Sequence, residues 1–134
     1  MASGMEIVGI VEKVKIIGAK STEENYALFD TGANSTSVDI NLAARVQLGP
    51  IIRTTRIRSA SLKERVKRPV VGAVIEISGK RFETEVNLQD RSHMAFPVII
   101  GRNVISGNFL VDCHRNMDIF SRLKGKKEEE RETE

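Results

Sequence analysis

Leu28-Phe29-Asp30-Thr31-Gly32-Ala33 is the stretch on which the reading of this chain turns. Apolar residues run directly into one aspartate, and Thr-Gly follows at once. A strand that buries Leu28 and Phe29 would hold the Asp30 carboxylate still at its end. Gly32 lets a second backbone approach closely, because no Cβ stands in the way. The Thr31 hydroxyl is small enough to hydrogen-bond across that approach. Asp-x-Gly is also ordinary turn chemistry, so the tripeptide alone leaves two readings open. The alternative to a turn is a paired-carboxylate site. Two carboxylates close together can hold a water between them, and they cannot both ionise, so one acts as general base and the other as general acid. Such a pair titrates as a unit. The chain offers one aspartate in this setting, so a second copy would supply the other across a twofold axis.

A later stretch weighs between the readings. Phe96-Pro97-Val98-Ile99-Ile100-Gly101-Arg102-Asn103-Val104-Ile105 reads as a buried apolar strand, a glycine and a short helix, and Val74-Ile75-Glu76-Ile77-Ser78-Gly79-Lys80 precedes it as a strand and turn. With Asp-Thr-Gly-Ala upstream, this order resembles the retropepsins, the retroviral-type aspartic proteases. A closer resemblance runs from Arg68-Pro69-Val70-Val71 through Val86, Leu88, Asp90-Arg91-Ser92, Met94 and Phe96-Pro97. It points to a bacterial and archaeal cellular branch that carries the label "ATP-dependent zinc protease", and some members of that branch are associated with ATP-grasp enzymes that add glutamates to protein tails. The resemblance spans about residues 6–112.

The resemblance implies an aspartic endopeptidase active as a homodimer, with Asp30 of each chain in the catalytic dyad. It implies Thr31, Gly32 and Ala33 as the supporting loop, and Ile99, Ile100, Gly101 and Arg102 as the structure beneath that loop. Ala33 and Asn34 would line the substrate cleft. Ile57 to Arg65 would form the hairpin that closes over substrate, with Ile57, Arg58, Ser59, Ala60 and Ser61 as substrate contacts. Departures from the retroviral pattern carry expectations of their own. Ser59-Ala60-Ser61 replaces a glycine-rich hairpin tip. Asn34 stands where an aspartate often pairs with the helix arginine, which leaves Arg102 to bond backbone carbonyls or a partner chain. Ala33, part of the retropepsin-like motif, stands where many pepsin-type sites have a serine whose hydroxyl would favour the charged dyad, so a mildly acidic to near-neutral optimum is expected.

Composition fits a small β protein. The chain has 134 residues, enough for one domain with its own core. Aromatics make up only 4 %, so the core must be built from Ile, Val and Leu, which favours strands. Alternation over Glu6–Ile17 reads as one strand, followed by a polar loop over 18–25 and the Asp30 strand from Tyr26. Asn41–Val46 suggests a helical turn. Strands are expected over 37–40, 51–57, 70–77, 81–88, 98–100 and 109–112, with Ser78-Gly79-Lys80 as a hairpin turn. Many short strands and one short helix predict an all-β fold, a small closed β barrel, and the resemblance implies that it is of the retropepsin type. The domain is expected over 1–123. The tail 124–134 has no apolar residue and a net charge of −1, and is expected to be disordered.

No apolar run is long enough to span a membrane, and Met1 to Met5 lead into a charged strand without a secretory pattern. Cys113 is alone, so no intramolecular disulfide can form; both facts fit a reducing cytoplasm. Neither HExxH nor paired-cysteine spacing exists around His93, His114 and Cys113, and there is no phosphate-binding glycine loop. No metal or other cofactor is expected.

Eight basic residues lie between Arg45 and Arg68, opposed only by Glu64. A basic flap would attract an acidic peptide, and a glutamate-rich tail is the substrate class expected. A nucleic-acid partner is disfavoured, because no aromatic is interleaved for base stacking. A non-catalytic dimeric barrel that binds peptide is the rival to the enzyme, and Asp30→Asn separates the two.

Overall fold

The β-branched segments pair almost throughout in the computed structural model of the protein, which describes residues 4–58 and 65–132. The strands are β1 Glu6–Gly9, β2 Val11–Ile17, β3 Thr22–Phe29, β4 Thr36–Asp39, β5 Ile51–Arg58, β6 Arg65–Ile77, β7 Lys80–Gln89, β8 Val98–Ile100 and β9 Phe109–Asp112. The helices are α1 Ile40–Val46, α2 Arg102–Ile105 and α3 Met117–Glu132. Six strands form a closed barrel in the order β2-β3-β8-β4-β7-β6, and the pairing of Lys15–Ile17 with Val74–Glu76 shuts it. β5 extends from β6 as a hairpin arm outside the ring, and β1 pairs with β9 in a separate parallel pair. The all-β barrel expected from the sequence is the fold observed.

Aliphatic side chains fill the barrel. Val14, Ile16, Ile75, Ile77, Val86, Val98 and Ile100 are all buried, each such burial stabilising by roughly 1.5–3 kcal/mol. Three of the few aromatics gather together, Phe29 and Phe82 lying 6.0 and 5.4 Å from Phe109. Ser78 and Gly79 both have positive φ, the backbone that a two-residue turn of the β6–β7 hairpin requires. Asp39 caps α1 by accepting from the Leu42 N–H at 3.3 Å, and α1 buries Leu42, Ala43 and Val46 against the barrel.

One topological feature positions the site. β8 lies between β3 and β4, parallel to β3 and antiparallel to β4. The chain leaving β3 at Phe29 must therefore pass over the end of β8 before it enters β4 at Thr36.

The structure departs from the sequence expectations in three places. The strand expected over Glu6–Ile17 is two, because residues 6–9 pair with β9 and residues 11–17 with β3. β3 begins at Thr22, inside the expected loop; its charges face solvent and pair with neighbours, as in Lys13–Glu24 at 3.9 Å. The tail expected to be disordered from residue 124 is helical to Glu132. Lys, Glu and Arg are good helix formers, Lys127 and Glu130 pair at 3.5 Å one turn apart, and Phe120 anchors the helix by stacking on Phe96, 5.8 Å between centroids. Among the described residues no helix is long and apolar enough to cross a membrane.

Ile75 is fully buried at the heart of the barrel. Ile75→Ala should lower the unfolding free energy by about 2–5 kcal/mol, read as a shift in the urea midpoint. Lys126→Ala, on exposed α3, should move it by less than about 0.5 kcal/mol.

Candidate active site

Asp30 follows β3 directly, and its N–H donates to the Ile100 carbonyl at 2.9 Å, one more step of the β3–β8 ladder. Its carboxylate accepts from the Gly32 N–H at 2.9 Å, and its carbonyl accepts from the Ala33 N–H at 3.1 Å. The Asp-Thr-Gly-Ala loop is thus a tight turn wrapped around its own carboxylate. Thr31 and Gly32 are exposed at its tip.

The loop is clamped from below. Arg102 and Asn103 open α2, and their N–H groups donate to the carbonyls of Ala33 (2.8 Å) and Asn34 (3.2 Å). Gly101 N–H donates to the Thr36 hydroxyl at 3.1 Å, and that hydroxyl donates to Asn103 Oδ1 at 2.8 Å. Asn103 Nδ2 reaches on to the Thr84 hydroxyl and the Glu85 carbonyl on β7. Buried Asn87 completes the frame: its Nδ2 donates to the Thr36 carbonyl, and its Oδ1 accepts from Ser37 Oγ at 2.8 Å. Gly101 is required here by space, since a Cβ on it would lie 2.4 Å from the Ser35 carbonyl oxygen and 3.0 Å from that of Ala33.

Arg102 bonds a backbone carbonyl, as the sequence reading allowed, and also the Asn34 side chain, which that reading did not give it. Its guanidinium donates to the Thr31 carbonyl at 2.8 Å and to Asn34 Oδ1. Asparagine replaces the ion pair with a neutral hydrogen bond and keeps the geometry. Val98 and Ile100 are buried in the barrel, while Ile99 faces the other way by strand alternation and lines a cavity of about 570 Å³ beside the loop.

That cavity brings together several of the expected residues. Gly32, Ala33 and Asn34 form one wall, and Thr55, Arg56 and Arg68 of the β5–β6 hairpin form another. Ile57 and Arg58 pair with Val66 and Arg65 as the hairpin continues. Ser59, Ala60 and Ser61 lie outside the described residues. Burial holds the Arg68 guanidinium below the usual arginine range.

Sequence reading missed a second buried arginine near Asp30. Arg91 is almost fully buried; its N–H donates to Asp39 Oδ1 and its Nε to the Phe96 carbonyl, both at 2.8 Å. Burial lowers its pKa, the nearby Arg68 charge lowers it further, and Asp39 and Asp30 oppose the shift. Among the described residues no three His, Cys, Asp or Glu side chains converge as metal ligands.

The model of the RimB-like family, the retropepsin-like aspartic endopeptidase RimB, matches residues 37–119. The chain belongs to this family. The match takes in the β6–β7 hairpin, β8, Gly101 and α2; Asp30 precedes it and most of α3 follows it. No curated protein matches the chain. Among solved structures, Lpg0085 from Legionella pneumophila, a protein of unknown function, is 25 % identical, covering 81 % of this chain and 94 % of its own, with a TM-score of 0.56. The EIAV protease, solved with the inhibitor HBY-793, is 20 % identical over 76 % of this chain and 91 % of its own, with a TM-score of 0.53. The simian foamy virus (mac) protease is 18 % identical over 71 % of this chain and 90 % of its own, with a TM-score of 0.51. The two viral proteases share the barrel fold with this chain.

Thr36→Val keeps the shape of the side chain and removes its hydroxyl. It leaves the buried Gly101 N–H without an acceptor, so stability should fall by about 1–3 kcal/mol. Faster amide exchange at Gly101 and Asn103 should accompany the loss, read by hydrogen–deuterium exchange.

Proposed function

We propose that this chain is an aspartic endopeptidase that works as a symmetric homodimer on acidic peptides. One observation carries the reading: the single carboxylate of the Asp-Thr-Gly-Ala loop stands at a strand end, in a turn fixed by backbone hydrogen bonds to β8 and α2. Preorganisation of this kind is what a reacting carboxylate needs. One such carboxylate cannot divide the roles of acid and base, so two protomers meet at the exposed Thr31-Gly32 tips and share a water between their Asp30 side chains. The ionised Asp30 takes a proton from the water as it attacks the scissile carbonyl. The protonated Asp30 polarises that carbonyl, and a proton is then delivered to the leaving nitrogen.

The family points to peptide hydrolysis, and the charge of the cleft supports the choice of peptide. Arg56 and Arg68 line the cavity beside Ala33 and Asn34, with no carboxylate among the described lining residues. An extended peptide rich in glutamate would enter along this wall. Asn34 would bond its backbone, and its carboxylates would meet the two guanidinium groups.

The test is cleavage of a peptide pool that includes glutamate-rich tails, followed by mass spectrometry from acidic to neutral pH. Asp30→Asn should reduce cleavage by roughly 10²–10⁴-fold or more while the protein still binds peptide and sediments as a dimer. Binding without cleavage by the wild type would instead favour a peptide-binding module. Arg56→Gln with Arg68→Gln should raise KM for glutamate-rich peptides by about tenfold and change KM for neutral peptides far less.

A further inference from the structure

The geometry points to a second pocket, between α3 and the 93–96 loop, as a subsite for a carboxylate side chain of the peptide, with Lys124, Lys127 and Arg131 as its specificity determinants. The inference rests on the peptidase reading and deepens it. It assigns a role to a helix that lies almost wholly beyond the family match.

The pocket opens on the same side of β3 as the candidate catalytic group. Ala27 and Phe29 point into the core. Leu28 and Asp30 have the opposite parity and share the other face. Leu28 forms part of the floor of a cavity of about 330 Å³, with Phe96 and Phe120 beside it. Arg91 also lines this cavity, and Asp30 is among the charges that act on its guanidinium.

The far wall is α3. Phe120, Lys124, Lys127, Glu128 and Arg131 all line the pocket, and their spacing of four, three, one and three residues puts them on one helical face. The Phe120–Phe96 stack seats that face, and the Lys124 ammonium lies 5.4 Å from the Phe120 ring centre. Three lysine or arginine groups from the helix and Arg91 from the loop after β7 thus surround a space whose described lining holds one carboxylate, Glu128. Lys127 also has Glu130 at 3.5 Å, outside the pocket lining. An apolar floor under a cationic rim suits a glutamate side chain, whose methylenes pack below while its carboxylate is met from above.

α3 carries a built-in control. Arg122 and Lys126 are exposed and absent from the pocket lining, on the opposite face of the same helix. Two paired substitutions therefore change the net charge equally and differ only in position: Lys124→Glu with Arg131→Glu, and Arg122→Glu with Lys126→Glu. Glutamate is a good helix former, and circular dichroism checks that α3 persists in both.

The measurement is fluorescence anisotropy of a labelled oligo-glutamate peptide on full-length Asp30→Asn protein, so that cleavage does not consume the probe. The pocket pair should weaken binding by about tenfold or more. The opposite-face pair should change it less than about twofold, and an oligo-glutamine probe should respond to neither. Equal weakening by both pairs, no weakening by either, or no binding of the probe by the parent protein would overturn the subsite. The parallel cleavage assay keeps the two claims apart. Wild-type cleavage that ignores the pocket pair removes the subsite and leaves the peptidase. Binding that depends on Lys124 and Arg131, without Asp30-dependent cleavage, removes the peptidase and leaves a carboxylate-binding pocket.

Discussion

The passage of the Asp30 loop over the end of β8 is the constraint on which the rest of the site depends. Two backbones cross there with no room for a side chain, and Gly101 is the residue that permits it. Because they cross so closely, carbonyls of the loop fall within reach of the N–H groups that open α2, and the buried Thr36 hydroxyl reaches both Gly101 and Asn103. A carboxylate on an ordinary surface turn would sample many positions. This one is held by a lattice of backbone bonds that continues into the barrel wall through Asn87 and β7.

Much of this could be read in the sequence, for identifiable reasons. Alternating β-branched residues with few aromatics gave the barrel. Ser78-Gly79 gave the hairpin turn, and Asp-Thr-Gly with Gly-Arg-Asn gave the loop and the helix under it. The polar frame could not be read in the same way. Thr36 and Asn87 stand at no repeating interval, and what marks them is burial with a satisfied partner, which only the folded chain reveals. Arg91 escaped for the same reason: charged residues are rarely buried, and nothing local says that Phe96 and Asp39 will receive this one. Asn34 was read as a lost ion pair because charge was weighed above hydrogen-bonding capacity, yet an amide oxygen accepts from a guanidinium as a carboxylate does. The α3 segment was read from its composition, which is shared by solvated tails and charged helices; Phe120 and its stack on Phe96 decide between them.

Charge on this protein is arranged by position more than by amount. A net charge of +3 is modest for 134 residues. Cationic groups nevertheless stand at both cavities near the Asp30 loop, Arg56 and Arg68 at one and Arg91 with the α3 basic groups at the other. Several acids are paired elsewhere: Glu23 with Arg45, Glu76 with Lys15, and Glu6 with Lys80. Such exposed pairs add little stability.

The crossing at Gly101 also fixes when the site can exist during folding. Its bonds join residues 65 to 71 positions apart, from Thr36–Gly101 to Thr31–Arg102. Contacts so distant along the chain form late, after the loop-closure entropy of everything between them has been overcome. A chain emerging from the ribosome carries Asp30 long before it carries Gly101, and until β8 inserts between β3 and β4 the carboxylate sits on an unbraced turn. The order of synthesis thus separates the appearance of the Asp30 carboxylate from its bracing, which waits until the barrel has closed.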